Sequence, residues 1–405
     1  MGGARALVFL FDKLGGYFQK VVNPSTHKLA SLEGLRGILA FSVVAHHACC
    51  WYFYTRIGIW TTGNSVVFTR LADFGVVQFF YLSGFLFWRK LMRKGAIPIG
   101  NFYLSRFIRI APVFYLCVGA AIFAGILGAG FSRQVQIGSL IGSLLSWASF
   151  SIAGQPPVNG VDIHLITSGV TWTLGLEWLF YLSLPFLGWY SRRARRLVYF
   201  ALTFGVLYMV MVNKHLLFAV RNKEQLQSAA FIVGRFSRLM LTGFGGGILI
   251  ATLETRIRNW LRFLMPWRNW LLLGSYLAFL LIPGIDQIGT FPILDDMGQA
   301  FLLAGFALVV LGCDLFGLLT SRAVRLLGVI SYPVYLLHGM VYYAVMRFRG
   351  GIHEVSAFTY AAEVAGCLAA ILLLALIIHL TVERPSMKLS EEIAGKAVPA
   401  RISAS

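Results

Sequence analysis

The chain has 405 residues, 58% of them hydrophobic and only 13% charged, with a formal net charge of +19. Its apolar runs recur near the roughly 20 residues a helix needs to cross a bilayer, which excludes a soluble domain and predicts an all-α polytopic membrane protein. Nucleic acid is not needed to explain the charge, because the basic residues alternate by loop as membrane topology demands.

Residues 1–29 carry Arg5, Lys13, Lys20 and Lys28 around a short apolar stretch, Leu7 to Phe11, with no small-residue cleavage site before the first span. They read as a cytoplasmic, interfacial segment and not as a cleaved signal. About ten spans follow, near 32–55, 66–88, 107–129, 168–188, 197–213, 228–253, 269–285, 298–319, 325–346 and 358–381. Seven Lys or Arg fall in outer loops (Arg56, Arg133, Lys214, Arg221, Lys223, Arg347, Arg349) and four within spans (Arg36, Arg70, Arg235, Arg238). The rest of the 35 lie in segments that are cytoplasmic when both termini are inside. That bias predicts a multi-pass protein of the cell membrane with N-terminus and C-terminus cytoplasmic, a membrane domain over 30–386 and a polar tail over 387–405.

The first span holds Arg36 and His47, eleven helical steps apart. They share a face and stand roughly 16 Å apart along the axis, while His46 points about 100° away. Ionisable residues at membrane depth are costly unless they face protein or water, and are functional by default. In the second span Asp73 lies about 10 Å from the outer end. At the start of the third, Arg106 and Arg109 are spaced i, i+3 and project from one face, an arrangement suited to phosphate oxygens. The segment 130–167 mixes an apolar stretch, Ile137 to Ile152, with Gln155-Pro156-Pro157 and Asp162-Ile163-His164, and reads as a half-inserted helix and a lid. Glu177 lies about 13 Å from the outer end of the fourth span. The seventh span is short and contains Pro283. His338 lies about 20 Å from the cytoplasmic end of the ninth. His47, Glu177, His338 and Asp73 therefore fall in one outer slab, opposite a basic inner mouth formed by Arg36, Arg106 and Arg109. His46 and His379 read as satisfied core residues. The five cysteines lie in apolar spans without metal-ligand spacing, so they read as packing residues and no metal site is expected.

This placement alone does not name a reaction. A buried imidazole near a carboxylate serves acyl transfer, hydrolysis or proton relay, and a proton-coupled transporter of a small solute would use the same residue types.

Six motifs resemble those of the acyltransferase-3 family of membrane acyltransferases, in the family's order. Ser31-Leu32-Glu33-Gly34-Leu35-Arg36-Gly37 leads to His47, giving a basic residue, ten residues and a histidine. Gly75 to Gly84 follows, with Phe79-Phe80-Tyr81-Leu82-Ser83-Gly84-Phe85, then Arg106-Phe107-Ile108-Arg109 with Pro112. The fourth is Trp172-Thr173-Leu174-Gly175-Leu176-Glu177-Trp178-Leu179-Phe180-Tyr181. The last two are Leu327 to His338, containing Ser331-Tyr332-Pro333, and Glu383-Arg384-Pro385. The resemblance implies an O-acyltransferase that uses acetyl-CoA, without a metal, to modify a hydroxyl of a saccharide or another small acceptor. It implies His47 as the essential histidine, Arg36 its paired cation and Glu177 the carboxylate of the fourth-span motif; chemically, His47 is expected to act as base or acyl relay and Glu177 to orient its imidazole. Arg106 and Arg109, with Arg36, would hold the donor phosphates, and Asp73, Ser83, Ser331, Tyr332 and His338 would line the site. One departure stands out: where many members place an acid two residues after the glycine of the second-span motif, this chain has Val77 followed by Gln78.

Overall fold

In hydrocarbon every backbone polar group must be satisfied within the protein, so long apolar runs fold as helices. The computed structural model describes residues 27–94, 99–128, 133–191, 239–282, 292–348 and 356–396. Among them the regular elements are helical, apart from the isolated bridge between Val158 and Val161. In chain order they are α1 (His27–Ile57), α2 (Val66–Lys94), α3 (Ile99–Gly128), α4 (Ile137–Ala148), α5 (Ile163–Ile166) and α6 (Trp172–Ser191). A π-helical turn (Leu239–Phe244), α7 (Gly245–Trp260), a 3-10 turn (Arg262–Trp267), α8 (Arg268–Leu281) and α9 (Pro292–Val310) follow. The last are α10 (Arg322–Val329), α11 (Ser331–Phe348), α12 (Ala357–Ile378), a second π turn (His379–Glu383) and α13 (Arg384–Lys396).

Among the described residues, four helices are long and apolar enough to cross a membrane: Ala30–Ile57, Val66–Arg93, Ile99–Gly128 and Ala357–Ile393. They match the expected first, second, third and tenth spans. The ninth is broken instead of straight: α10 and α11 meet at an angle of 73° around Ile330. Pro333, lacking an N–H, cannot donate to the carbonyl four residues back, and the Ser331 hydroxyl donates to the Gly328 carbonyl at 2.8 Å. The expected eighth span stops early, at Val310, in a Schellman turn. Cys313 N–H bonds Leu308 O at 3.0 Å, Gly312 N–H bonds Val309 O at 2.9 Å, and Gly312 takes φ 99°. The fifth span and the start of the sixth lie outside the described residues, as do residues 1–26 and Pro283.

The chain divides into two compact units, one formed by Met1–Gln78 with Glu254–Tyr335 and the other by Phe79–Leu253 with Leu336–Ser405. In the first, α1 packs against α10 and α9, and α8 against α9. The α1–α10 contact is backbone to backbone. A Cβ on Gly34 would sit 1.8 Å from Leu319 O, one on Gly37 2.6 Å from Val324 O, and one on Gly328 1.9 Å from Glu33 O. Beside it, the Glu33 carboxylate accepts from the buried Arg325 guanidinium at 3.1 Å. The helix α8 ends where Ile282 turns extended (ψ 122°), as a residue before proline prefers. Its terminal carbonyl is taken by the fully buried Arg70, whose Nε donates to Ile282 O at 2.7 Å while its guanidinium lies 5.0 Å from the Phe279 ring centroid.

In the second unit α13 lies along α3, and the Ser390 hydroxyl donates to Ser105 O at 2.7 Å. The first ten residues of the expected polar tail, 387–396, are therefore helical, with Ser390 buried. Residues 137–171 carry α4 and α5. At 12 residues α4 is too short to span, and it keeps Ile137, Ile141 and Leu145 exposed. Trp147 Nε1 donates to Pro156 O at 2.9 Å, and Phe150 stacks on Trp178 with centroids 4.9 Å apart. Only 17% of the apolar window of α12 is buried, the surface expected of a helix that faces lipid.

The glycine contact yields a first prediction. Gly328→Val drives a side chain into the Glu33 carbonyl and is expected to lower the midpoint of a thermal-shift curve of the purified protein sharply. Gly274→Ala, in α8 with nothing within 4 Å of its Cβ position, is expected to leave it unchanged or raise it by the equivalent of up to about 1 kcal/mol. Equal effects of the two substitutions would refute the contact.

Candidate functional site

Arg36 and His47 stand on one unbroken helix, α1, in the first unit. Arg36 is half-buried, between Gly34 and Gly37, and His47 is 9% exposed. The two adjacent imidazoles are held differently. His46 Nδ1 lies 2.8 Å from Phe68 O, which can only accept, so that nitrogen carries the proton. Its Nε2 lies 3.5 Å from the Cys50 thiol and accepts from it. His46 is thus fixed in one tautomer by a neighbouring helix and its own next turn, the satisfied residue its sequence suggests. His47 packs against two rings. Its centroid is 4.9 Å from that of His46, edge-on at 73°, and 5.9 Å from that of Trp60.

The remaining candidates of this unit are engaged in structure. Asp73 lies 3.6 Å from Arg70, one turn away on α2. Ser331 is 1% exposed and its hydroxyl is committed to the bend, while Tyr332 is half-buried at the start of α11. Gln78, the residue at the departure from the family motif, is fully buried and accepts from the Tyr276 hydroxyl at 3.0 Å.

The second unit assembles a polar cluster around Glu177. On α6, Tyr181 follows it by one turn, and its phenol donates to Glu177 Oε1. Ser83 of α2 donates to the same oxygen at 3.3 Å. Arg106 of α3 interacts electrostatically with both Tyr181 and Glu177, and its guanidinium packs over the Phe87 ring at 5.2 Å. Arg109, one turn on, is half-buried and adds a second positive charge to Arg106's surroundings. Spacing along the helices assigns Arg106 to the inner mouth and Glu177 to the outer slab, yet the two belong to one cluster. The difference arises because α3 begins at Ile99, which sets Arg106 two turns into the helix, and because an arginine side chain is long. His338 is fully buried on α11, 6.5 Å from the Tyr342 ring. A Cβ on the next residue, Gly339, would meet the Thr167 backbone at 2.5 Å.

Three features escape the sequence reading. Tyr181 lies in a quoted motif without a role, though its i, i+4 spacing from Glu177 is a readable signal. Trp60 sits in a loop and has no periodic signal at all. His379, read as a core residue, makes a buried 2.6 Å contact with Glu383 across the second π turn. Pro385 just beyond removes one backbone donor and favours a widened turn there.

A family model described as an acyltransferase domain matches residues 29–380. The chain is 25% identical over 266 residues to exopolysaccharide production protein ExoZ of Rhizobium meliloti (strain 1021), covering 65% of this chain and 74% of that protein. It is 30% identical over 172 residues to nodulation protein 10 of Rhizobium leguminosarum bv. viciae, covering 40% of this chain and 45% of that protein. No solved structure matches the chain significantly.

If Glu177 and Arg106 form one network, their substitutions will not add. In a double-mutant cycle of Glu177→Gln and Arg106→Met, read by thermal unfolding of the purified protein, a coupling of about 0.5–3 kcal/mol is expected. Additivity within about 0.3 kcal/mol would separate the two residues.

Proposed function

The chain belongs to the acyltransferase-3 family, and from that membership we propose that it is a membrane O-acetyltransferase moving an acetyl group from cytoplasmic acetyl-CoA to a hydroxyl of an outward-facing saccharide. The observation that carries the reading is the place of His47 on one unbroken helix with Arg36, on a face the two share. His46 is turned to Phe68 O and the Cys50 thiol, and His47 is read as the residue of proton or acyl transfer. The name of ExoZ, a protein of exopolysaccharide production, supports a saccharide acceptor.

In this reading the ten-span, N-in and C-in topology of the cell membrane puts Arg36 near the cytoplasm and His47 in the outer half. Arg36, Arg106 and Arg109 offer guanidinium forks to the phosphates of the donor. Glu177, with Ser83 and Tyr181, neutralises and orients Arg106. The separation of Arg36 and His47, roughly 16 Å, is comparable with the reach of an extended pantetheine arm. In one route His47 takes the acceptor hydroxyl proton as the oxygen attacks the thioester carbonyl. The C–S bond breaks, and the imidazolium returns the proton to the leaving thiolate. In the other, the imidazole nitrogen itself takes the acetyl group, releases the thiol and passes the acetyl to the hydroxyl. Both routes consume acetyl-CoA and release free thiol, which proton-coupled transport of a solute does not.

Removing a positioned acid or base typically costs about 10² to 10⁴ in rate. Purified His47→Ala is expected to remain folded and to lose thiol release from labelled acetyl-CoA by that factor. His46→Ala is expected to lower thermal stability and keep measurable turnover. Full acetyl transfer by His47→Ala, or absence of thiol release by the unsubstituted protein, would sink the proposal. Arg106→Ala with Arg109→Ala is expected to weaken acetyl-CoA binding, and unchanged binding would count against the donor site.

A further inference from the structure

Helical periodicity places His47, Trp51 and Tyr54 in one stripe at the end of α1, at i, i+4 and i+7. The loop of residues 58–65 then brings Trp60 back onto that stripe. Its ring centroid lies 5.2 Å from Trp51 at 86°, 6.0 Å from Tyr54 at 68° and 5.9 Å from His47 at 38°. Trp51 and Tyr54 themselves meet edge to face at 5.5 Å. Trp51 is 2% exposed and forms the floor, while Tyr54 and Trp60 remain half-buried and keep ring surface accessible.

The loop that carries Trp60 is pinned at several points. Gly58 and Gly63 take φ 71° and 61°, a region that favours glycine, and a Cβ on Gly63 would strike the Phe53 ring at 2.5 Å. The buried Thr62 hydroxyl meets Thr69 at 2.6 Å, and its carbonyl accepts from the Cys49 thiol at 3.7 Å. Tryptophans that only mark the membrane interface point their rings toward the headgroups. Here the rings interlock with one another and with an imidazole.

We propose that Trp51, Tyr54 and Trp60 form the acceptor subsite, which holds the apolar face of a pyranose ring so that one of its hydroxyls meets His47. This rests on the reading of His47 as the transfer residue. A pyranose presents a flat patch of C–H groups on one face and hydroxyls around its edge. Aromatic walls beside one polar group suit such a ligand, stacking supplying contact area and the imidazole selecting the hydroxyl. The subsite sits at the end of α1 remote from Arg36, so donor and acceptor approach His47 from opposite directions along the helix. Trp60 is accordingly a residue that sets acceptor specificity.

The test is saturation-transfer NMR on the full chain in lipid nanodiscs. The probes are the methyl pyranosides of glucose, galactose, mannose and rhamnose, with sorbitol as a polyol lacking a ring face. Saturation is expected on the ring C–H protons of at least one pyranoside and not on sorbitol. Trp60→Phe keeps an aromatic face and is expected to retain the signal, whereas Trp60→Leu, of similar apolar character, is expected to weaken binding about tenfold. Saturation of none of the four, equal saturation of sorbitol, or equal binding by the Leu and Phe variants overturns the subsite. Thiol release without pyranoside binding would overturn this inference alone. Pyranoside binding without thiol release would overturn the acetyltransferase reading and leave the three rings as a pyranose-binding site with no acceptor role.

Discussion

The rotation of α1 about its own axis is the setting on which the candidate chemistry depends, and a glycine contact fixes it. Inside a bilayer, lipid is as apolar as leucine, so helices associate through close packing and polar contacts. Gly34 and Gly37 of α1 and Gly328 of α10 leave no room for a Cβ against the facing carbonyls. The Glu33–Arg325 pair closes the same junction at 3.1 Å. Arg36 lies between the two α1 glycines, so the contact that locks them also decides where the guanidinium points. Because α1 is unbroken to Ile57, the same rotation is inherited eleven residues later by His47 and then by Trp51 and Tyr54. Breaking the ninth span at Ile330 serves this contact: it frees α10 as a short segment that can lie against α1.

The second unit solves a different problem, how to keep a carboxylate and a guanidinium among aromatic side chains. Glu177 accepts from two hydroxyls, and Arg106 is shared between that cluster and the Phe87 face. In a low-dielectric surrounding each such interaction is stronger than in water, and each missing partner is costlier. A cluster built from three helices, with Tyr181 behind the carboxylate, therefore holds Arg106 more rigidly than a surface arginine would be held. Rigid placement is what a guanidinium fork needs to recognise paired oxyanions.

Much of this was legible in the chain itself. Long apolar runs located α1, α2, α3 and α12 because length and hydrophobicity act locally and leave few alternatives. The Arg36–His47 phase followed from helical geometry alone. What failed was decided by contacts remote in sequence or by local turn chemistry. Arg325, counted with the cytoplasmic topology residues, is buried against Glu33, 292 positions away. The eighth span ended early because Gly312 accepts a left-handed turn. Residues 387–396 looked like a tail because Lys388, Glu391 and Glu392 are charged, although an amphipathic helix can dock on α3 with its charges outward. Loop residues carry no period, so nothing in the sequence distinguished Trp60 from an interfacial tryptophan.

His46 and His47 show how position on a helix gives identical side chains different surroundings. One residue of offset rotates a side chain by about 100°. That rotation turns His46 toward α2, where the Phe68 carbonyl fixes its proton, and turns His47 onto the stripe it shares with Trp51. A neutral imidazole with both nitrogens engaged is a structural crosslink. An imidazole packed among aromatic rings sits in a low-dielectric surrounding, where each polar interaction counts for more than it does in water. Moving the register of α1 by one residue would therefore exchange their surroundings only if Trp60 and Phe68 moved with it. Those surroundings are what the α1–α10 contact and the pinned 58–65 loop create together.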